Sequence, residues 1–383
     1  MSNEINRPKN KTGTFIFAVC FIIFLASTAV FASSPSIQIR PTDLRNDLIQ
    51  NHWEVIDSLI QNRPEDQNLA RYEALILNCA GLSGKIEVVK YYLNRGSDID
   101  KDLSNGFTLL HLAIRAGHTE LVEYLINKGA NLTLQTNEKM TPIMLAVTHN
   151  RKEIEEMLIE KGIKRDIFTE TIRGDIQAVM NYLAEDPNLI NQYRGNFSLL
   201  HWAAYKGYYD LAKILIEKGA DVEGHKNYAS PLFWAVRYNR PVLAKLLIES
   251  GADINAKNTN GQSVLFSSAR VEITKFLLEN GADAGVIDKT GNTPLHIIGT
   301  KNMHIEAIRT IIDFNELPNF PQSEKVNEEA INEQLGVVKL LIEHGANPNL
   351  KNKAGKTALD FAIEGGFEQI IEFFSNYQDK TLN

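Results

Sequence analysis

The chain has few of the residues that would cross-link it or give it a strongly basic surface. Its two cysteines are Cys20, inside an apolar N-terminal run, and Cys79, so the rest of the chain cannot form an internal disulfide. Among the 383 residues there are 40 basic and 47 acidic side chains, a formal net charge of −7. A general nucleic-acid binder is normally basic, so we expect no nucleic-acid partner. Stability must come from packing.

Motifs that carry chemistry are missing as well. The sequence contains no Gly-x-Ser-x-Gly, no His-Glu-x-x-His and no glycine-rich dinucleotide loop. His111, His201 and His296 lack companions at the close spacing that zinc ligands need. We therefore predict that the protein is not an enzyme, and we predict no catalytic residue, no cofactor and no metal site.

An uncharged, apolar segment lies near the N-terminus. Residues 15–32 follow a basic stretch and end in Val30-Phe31-Ala32, a small-residue pattern that signal peptidase cuts. At this length the segment also nearly spans a bilayer, so an uncleaved anchor is the alternative to a secretory signal. We interpret 1–32 as a signal peptide or membrane anchor and 33–41 as a linker. Both versions place the remainder outside the cytoplasm, periplasmic or secreted in a bacterium.

A short motif recurs with a period of about 33 residues over most of the chain. Its copies are Thr108-Leu109-Leu110-His111, Thr141-Pro142-Ile143-Met144, Ser198-Leu199-Leu200-His201, Ser230-Pro231-Leu232-Phe233, Ser263-Val264-Leu265-Phe266, Thr293-Pro294-Leu295-His296 and Thr357-Ala358-Leu359-Asp360. The interval from Thr141 to Ser198 holds one full unit and one unit that is clearly shortened. The interval from Thr293 to Thr357 holds one full unit that carries an insertion nearly as long as a second unit.

Each copy predicts a short inner helix followed by an outer helix. Thr or Ser supplies the N-cap hydroxyl, and Pro often fills the first helical position. A glycine such as Gly117 ends the inner helix. Apolar pairs one turn apart, such as Leu121-Val122 with Leu125-Ile126, give the outer helix one buried stripe. A Gly-Ala-Asp tripeptide or a near variant then leads to the next copy.

This combination resembles the ankyrin repeat family, whose Thr-Pro-Leu-His, Ala-Ala, Gly-His and Gly-Ala-Asp signature recurs over about residues 42–376. The resemblance implies an all-α solenoid of about ten helix pairs with hairpin tips, in which His111, His201 and His296 make structural hydrogen bonds. It also implies a non-catalytic protein-protein interaction scaffold, which we expect to be monomeric. With the signal-like segment in front, the chain looks like the exported ankyrin proteins of bacteria.

Departures from the repeat predict the domain organisation. The unit beginning at Asp166 lacks the Thr-Pro cap and resembles the first repeat of many ankyrin arrays. We therefore predict a first sub-array over 42–165, a second over 166–376, and a C-terminal tail over 377–383. The copy beginning at Ser263 is slightly short, so its inner helix or turn is clipped.

The extra residues after Thr293 form a predicted insertion within about 300–336. We expect an additional helix over 305–314 and then a loop, and we expect the array to fold without the segment 302–333. In an alternative function, the chain is a membrane-anchored structural element and this insertion carries the specific activity.

The resemblance also locates a binding face. In family members, the two residues after the Ala-Ala position and the tip residues before each Thr or Ser point into the concavity. The predicted partner-binding residues are Phe107, Arg115, Arg173, Tyr193, Arg194, Phe197, Tyr205, Lys206, Lys226, Tyr228, Arg237 and Tyr238. Aromatic and basic side chains dominate this set, as in interface hot regions. We expect Trp202 and Trp234 to pack between inner helices instead.

The N-terminal segment yields the first testable prediction. We expect the mature protein to begin at Ser33 and to fractionate outside the cytoplasm, because a basic start, an uncharged run and a small-residue cleavage pattern occur together. Cell fractionation followed by N-terminal sequencing measures this. A full-length, soluble, cytoplasmic chain with Met1 intact would contradict both the signal and the anchor interpretations.

Overall fold

The computed structural model describes only part of the chain. The described residues are 53, 56, 57, 60, 69, 72–224, 229–298 and 328–381. The predicted signal or anchor at 1–32, most of the first helix pair and the predicted helix at 305–314 lie outside these residues.

Short inner helices alternate with outer helices along the described chain. They are α1 (Glu73–Ser83), α2 (Ile86–Asn94), α3 (Leu109–Ala116), α4 (Thr119–Asn127), α5 (Pro142–Thr148), α6 (Lys152–Glu160), α7 (Ile167–Arg173), α8 (Ile176–Glu185), α9 (Leu199–Lys206), α10 (Tyr209–Glu217), α11 (Pro231–Arg237), α12 (Pro241–Glu249), α13 (Val271–Glu279), α14 (Pro294–Ile298), α15 (Glu328–Glu343), α16 (Ala358–Gly365) and α17 (Glu368–Thr381). Two 3₁₀ segments, Pro187–Asn191 and Val264–Ser267, and two strands, β1 (Tyr193–Arg194) and β2 (Phe197–Ser198), complete the list. The strands pair antiparallel and form one hairpin tip.

The chain divides into two compact units, 1–130 and 131–383. In the first, inner helix α1 packs on α3, and each packs on its own outer helix. In the second, the inner elements α5, α7, α9, α11, the 3₁₀ segment at 264–267, α14 and α16 pack consecutively. The boundary that we predicted between two sub-arrays, at 165/166, lies inside the second compact unit. Helix α7, which follows this boundary, packs on both α5 and α9.

Hydrogen bonds at the helix starts follow the predicted caps. The Ser230 hydroxyl accepts a hydrogen bond from the Phe233 N–H at 3.3 Å. Ser230 is the N-cap residue of α11, and Pro231 is the first residue of that helix. In the first compact unit, the Thr108 N–H donates to Nδ1 of His111 at 3.2 Å. The unit that lacks the Thr-Pro cap uses Asp166 instead, whose carboxylate accepts from the Thr169 N–H at 2.9 Å. An Asp N-cap serves as well as Thr, so the helix begins at its regular place.

The histidines bond as the resemblance implied. Nδ1 of His201 accepts from the Ser198 N–H at 3.1 Å, which leaves the ring proton on Nε2, 3.1 Å from the Ala229 carbonyl of the next tip. His296 repeats the arrangement, with Nε2 3.1 Å from the Lys356 carbonyl. The predicted structural role of the three histidines is confirmed.

The clipped copy is confirmed. The two preceding copies have inner helices of eight and seven residues, whereas the copy after Ser263 has the four-residue 3₁₀ segment Val264–Ser267, and α13 begins at Val271. A 3₁₀ turn rises faster per residue than an α-helix, so fewer residues fill the inner layer here.

The insertion leaves the stacking of its repeat intact. Helix α14, before it, packs directly on α16, and the tips bond to each other through Asn352 Nδ2 and Asn292 Oδ1 at 2.8 Å. Outer helix α15 begins at 328, inside the predicted insertion, and its Glu333 carboxylate accepts from the Val271 N–H at 2.9 Å. Glu333 therefore caps α13, whose own N-cap residue Arg270 makes no side-chain cap. The other difference is at the C-terminus, where α17 continues to Thr381 through most of the predicted tail.

These boundaries sharpen the deletion test. Removing 304–323 leaves the segments 299–303 and 324–327 between α14 and α15, a linker that can span roughly 30 Å. We expect the free energy of unfolding to stay within about 1 kcal/mol of the parent, because loop closure depends weakly on length. Urea unfolding followed by circular dichroism measures it.

The control deletion is 304–333, which also removes the first six residues of α15, including Glu333. It should cost about 1 kcal/mol more, the typical effect of losing an N-cap. Unfolding of the shorter deletion would contradict the prediction and make 304–323 part of the core.

Candidate functional site

One repeat in the second compact unit has no hairpin tip. The connection from an outer helix to the next inner helix runs over 128–141 before α5 and over 186–198 before α9, but only over 161–166 before α7. This is the shortened unit found in the sequence between Thr141 and Ser198. Helix α7 is present and packed, so the omission affects the tip alone.

The omission brings the repeats on either side of α7 together. Lys206 Nζ, at the end of α9, donates to the Thr148 carbonyl at the end of α5, 2.9 Å away. The hairpin tip of β1 and β2 lies against the tip before α5, so close that a Cβ on Gly195 would stand 2.6 Å from the Glu138 carbonyl oxygen. Repeats that are next but one along the chain therefore touch here.

A shallow, solvent-open hollow with an almost wholly apolar lining lies between these repeats. We call it the aromatic hollow. Its lining residues are Glu138, Met140, Thr148, Phe197, Trp202, Tyr205 and Trp234. They come from the tip and inner helix of the repeat before α7 and from the two repeats after it, so the hollow depends on the missing tip.

Aromatic rings form the wall of the hollow. The ring of Phe197 lies 5.1 Å from that of Trp202, and Tyr205 meets Trp234 edge-on at 6.2 Å between centroids. Tyr238 extends the cluster, since it stacks on Trp234 at 5.8 Å and meets Tyr205 edge-on at 4.6 Å. Such pairs contribute roughly 0.5–1.5 kcal/mol each beyond the area they bury. The rings of the wall therefore stabilise one another's positions.

Cations border the aromatic wall. The Arg237 guanidinium lies 6.0 Å from the Tyr238 ring centroid, and Lys206 Nζ lies 5.5 Å from that of Tyr205. Burial lowers the pKa of Lys206, and the nearby Arg240 lowers it further. Burial also lowers the pKa of Arg237, against the opposing effect of Tyr238. Both cations have thus lost part of their hydration.

Burial raises the pKa of the acidic and phenolic groups at the hollow, whereas it lowers the pKa of the two cations. Burial raises the pKa of the Glu138 carboxyl. Burial, reinforced by Tyr238, raises the pKa of Tyr205 to about 12, so this phenol stays neutral at physiological pH.

The structure brings together four of the predicted partner-binding residues, Tyr205, Lys206, Arg237 and Tyr238. Phe197 joins them as part of the wall, although its side chain is only 7% exposed. The predicted packing role of Trp202 and Trp234 is confirmed, since they are 5% and 3% exposed. They also line the hollow, a role that the sequence interpretation missed.

Three other predicted residues are held by contacts within the second unit. Arg173 donates to the Glu155 carboxylate at 2.6 Å. Arg194 pairs with Asp166 at 2.5 Å. Half-buried Tyr193 lies edge-on to the His201 ring.

The remaining predicted residues lie away from this cluster or outside the description. Phe107 and Arg115, in the first unit, are 8% and 4% exposed, with the guanidinium stacked 5.2 Å from the ring centroid. Lys226 and Tyr228 fall outside the described residues. Partner contact by any member of the set stays a prediction.

Glu138, Met140 and Thr148 were missed by sequence reasoning. The repeat period assigns them to a repeat two places away from the Tyr205 copy, and ankyrin units normally meet only their neighbours. The shortened unit was the available signal, because a missing tip leaves the flanking tips facing each other.

Comparison with known proteins identifies the family. The family model for ankyrin repeats, three copies, matches residues 75–169, 170–258, 232–319 and 263–352. These matches cover well over half of the sequence, and the chain belongs to the ankyrin repeat family. Ankyrin repeats generally mediate protein-protein interactions and are typically non-catalytic.

Curated relatives match over parts of their length. The chain is 31% identical to tyrosine-protein kinase HTK16 of Hydra vulgaris over 139 residues, 33% of this chain and 18% of the kinase. It is 49% identical to ankyrin repeat protein YahD of Escherichia coli over 47 residues, 12% of this chain and 23% of YahD. An ankyrin repeat protein of Rickettsia felis is 32% identical over 94 residues, 24% of this chain and 30% of that protein. The chain spans less than a third of each of these relatives.

The described residues contain neither a membrane-spanning helix nor a cluster of metal-binding side chains. No described helix combines the length and the apolar character needed to cross a bilayer. Nor do three or more His, Cys, Asp or Glu side chains in the described ranges converge as a metal site would require.

The close approach of the two tips yields a testable prediction. In Gly195→Ala the new Cβ meets the Glu138 backbone, and φ is +58° at this position. Gly355→Ala is the matched control, because Gly355 also has a positive φ, +78°, but no atom within 4 Å of the added Cβ. We expect Gly195→Ala to lower the free energy of unfolding by about 1–2 kcal/mol more than the control, since overpacking adds to backbone strain.

Urea unfolding monitored by tryptophan fluorescence measures the difference, because Trp202 and Trp234 line the hollow. Equal losses in the two variants would show that the tips do not meet in solution.

Proposed function

We propose that this protein is a non-catalytic scaffold that binds a protein partner through the face bearing the aromatic hollow. The observation that carries the proposal is the solvent-open hollow lined by Trp202, Tyr205 and Trp234, with Tyr238 packed on two of these rings and Arg237 on Tyr238. Trp, Tyr and Arg are the residues most enriched at interface hot spots, which sit in well-packed and desolvated pockets.

The family supports the scaffold role over an enzymatic one. Ankyrin units expose long surfaces of tips and inner helices, on which a partner is selected by the residues that vary between units. The kinase name belongs to a relative of which the matched region is 18%, so it says nothing about catalysis by this chain. We propose that the chain acts without catalytic residues or cofactors of its own, as a monomer.

We further propose that residues 1–32 export the array or tether it to a membrane. The support is the uncharged run behind a basic start, together with the small-residue pattern before Ser33. The partner is then a protein that is met outside the cytoplasm.

The proposal predicts which side chains control affinity. A partner is captured with the immobilised chain from the compartment in which the protein resides, identified by mass spectrometry, and titrated by calorimetry. The double variant Arg237→Gln, Tyr238→Phe keeps the Tyr238 ring and a polar side chain at 237, and removes the positive charge and the phenol hydroxyl. We expect it to weaken binding by at least about 2 kcal/mol, roughly 30-fold.

Lys245→Gln is the control, because Lys245 lies on outer helix α12 with its side chain 60% exposed. Its affinity should equal that of the parent. If the double variant binds as tightly as the parent while its thermal midpoint is unchanged, the binding site lies elsewhere in the chain.

A further inference from the structure

We propose that helices α16 and α17 form a second docking surface, which binds an amphipathic partner helix bearing an apolar stripe and basic side chains. We call the open side of these two helices the end face. It shares no residue with the aromatic hollow, so the inference goes beyond the function proposed above. It follows from the exposed apolar residues of the end face and from the charges around them.

Apolar side chains that other repeats bury are open to solvent on the end face. Helix α16 packs on α14 before it and on its own outer helix α17. Ile363, the sixth residue after the N-cap of α16, is 56% exposed, whereas Val236 at the same position of α11 is 2% exposed. Leu359 is half-buried, although the corresponding Leu232 is fully buried. Nothing in the described part of the chain therefore covers this side of α16.

The form of the end face suits a helix. In the second compact unit, each earlier inner element is covered by the next inner element, and such neighbours interlock through rows of side chains. The end face presents the same kind of surface with its apolar positions open. Ile371 extends it onto α17, half-buried where the corresponding Ala244 of α12 is fully buried. An amphipathic helix laid on an apolar surface is a recurring mode of recognition.

Asp360 disfavours a further ankyrin tip at this place. It occupies the position of His201 and His296, whose Nε2 donates to a carbonyl in the tip of the next repeat. One Asp360 oxygen accepts from the Thr357 N–H at 2.7 Å and from its hydroxyl at 2.8 Å, and these bonds lower the pKa of Asp360. An ionised carboxylate only accepts hydrogen bonds, so it would oppose a tip carbonyl. A partner must bring an N–H group or a cation instead.

The exposed charges on the two helices have one sign. Their exposed carboxylates are Asp360, Glu364, Glu368 and Glu372. No lysine or arginine occurs in α16 and α17 before Lys380. Lys356, in the preceding tip, bonds to Glu364 at 2.6 Å and leaves the other three carboxylates unmatched by it. Because complementary charges select partners, the end face favours a basic helix over an acidic one.

The test uses three labelled helical peptides with blocked ends. The first has a leucine stripe on a lysine-rich surface, the second has the same stripe with glutamates in place of the lysines, and the third has the lysines but alanines in place of the leucines. Each is titrated with the purified full chain in nonionic detergent, with detergent alone as the blank, and binding is followed by fluorescence polarisation. We expect the first peptide to bind at least about 10-fold more tightly than either of the others.

One pair of variants places the peptide on the end face. Ile363→Gln should weaken binding of the lysine-rich leucine peptide at least about 10-fold, because it removes the most exposed apolar side chain of this surface. Val242→Gln is the matched control, since Val242 is a similarly exposed aliphatic residue on outer helix α12. Its affinity should equal that of the parent.

A second pair tests the charges. Asp360→Asn with Glu372→Gln should remove most of the preference for the lysine-rich over the glutamate-rich peptide. Glu156→Gln with Glu160→Gln, which removes two exposed charges from α6, should keep that preference. Circular dichroism melting checks that each variant is folded.

Equal or tighter binding of the glutamate-rich peptide by the parent overturns the inference, as does full affinity in a folded Ile363→Gln variant. Either result leaves the proposed function standing, because that proposal is tested with a captured protein and the variant at Arg237 and Tyr238. Loss of capture by that variant, with peptide binding unchanged, would show that the two surfaces act separately, as the inference requires.

Discussion

At two places in the array, neighbouring repeats are held in register by an imidazole that hydrogen-bonds through both of its nitrogens. In His201 and His296, one ring nitrogen accepts a hydrogen bond from the backbone N–H of the N-cap residue, three positions earlier. The other ring nitrogen donates to a carbonyl in the tip of the next repeat. Leaving such a buried polar group without its hydrogen bond would lower the free energy of unfolding by roughly 1–3 kcal/mol. On the far side, Asn255 bridges to the next unit in the same way, donating to the Gly281 carbonyl and accepting from the Asp283 N–H. Because each unit of such an array contacts mainly its neighbours, these few bonds determine how tips and helices align.

The aromatic hollow lies where this rule is relaxed. The repeat at Asp166 keeps its helices and drops its tip, so the inner helix before it has no tip carbonyl to bond. In that helix Met144 occupies the position of the histidine, and its sulfur instead lies 3.3 Å from a guanidinium nitrogen of Arg194, in the tip two units along. The bond from Lys206 to the Thr148 carbonyl spans the same gap. The two flanking repeats thereby adjust to each other, and the space left between them is the hollow.

Local chemistry made much of the fold predictable from the sequence. A cap hydroxyl at Ser230, a proline after it and a glycine such as Gly117 act within one turn of helix, so their effects can be read without knowing the neighbours. The insertion was located from the spacing of the motifs, but the cap that its Glu333 gives to α13 was not predicted, because that contact joins residues 62 positions apart. The Asp166 cap was missed because the sequence interpretation looked for a hydroxyl and a proline.

The binding face was less predictable, for a physical reason. The period gives the position of a side chain within its own repeat, but not what lies opposite it. Arg173 and Arg194 occupy positions that face a partner in family members, yet here they meet Glu155 and Asp166. Phe197 and Trp202 follow the pattern but gain a second wall from Met140 and Thr148, which belong to a different repeat.

The missing tip also bears on how such arrays are engineered. A consensus sequence, averaged over the copies of this chain, would restore the absent tip. The restored tip would separate the two flanking repeats, which now contact each other. The result would be more regular, and it would have erased the hollow, because no single copy encodes it. In a repeat protein, the residues that the copies share specify the fold. The positions at which a copy departs from the others specify the features that are particular to one protein. Designs that aim to preserve recognition should therefore keep the irregular unit and regularise the others around it.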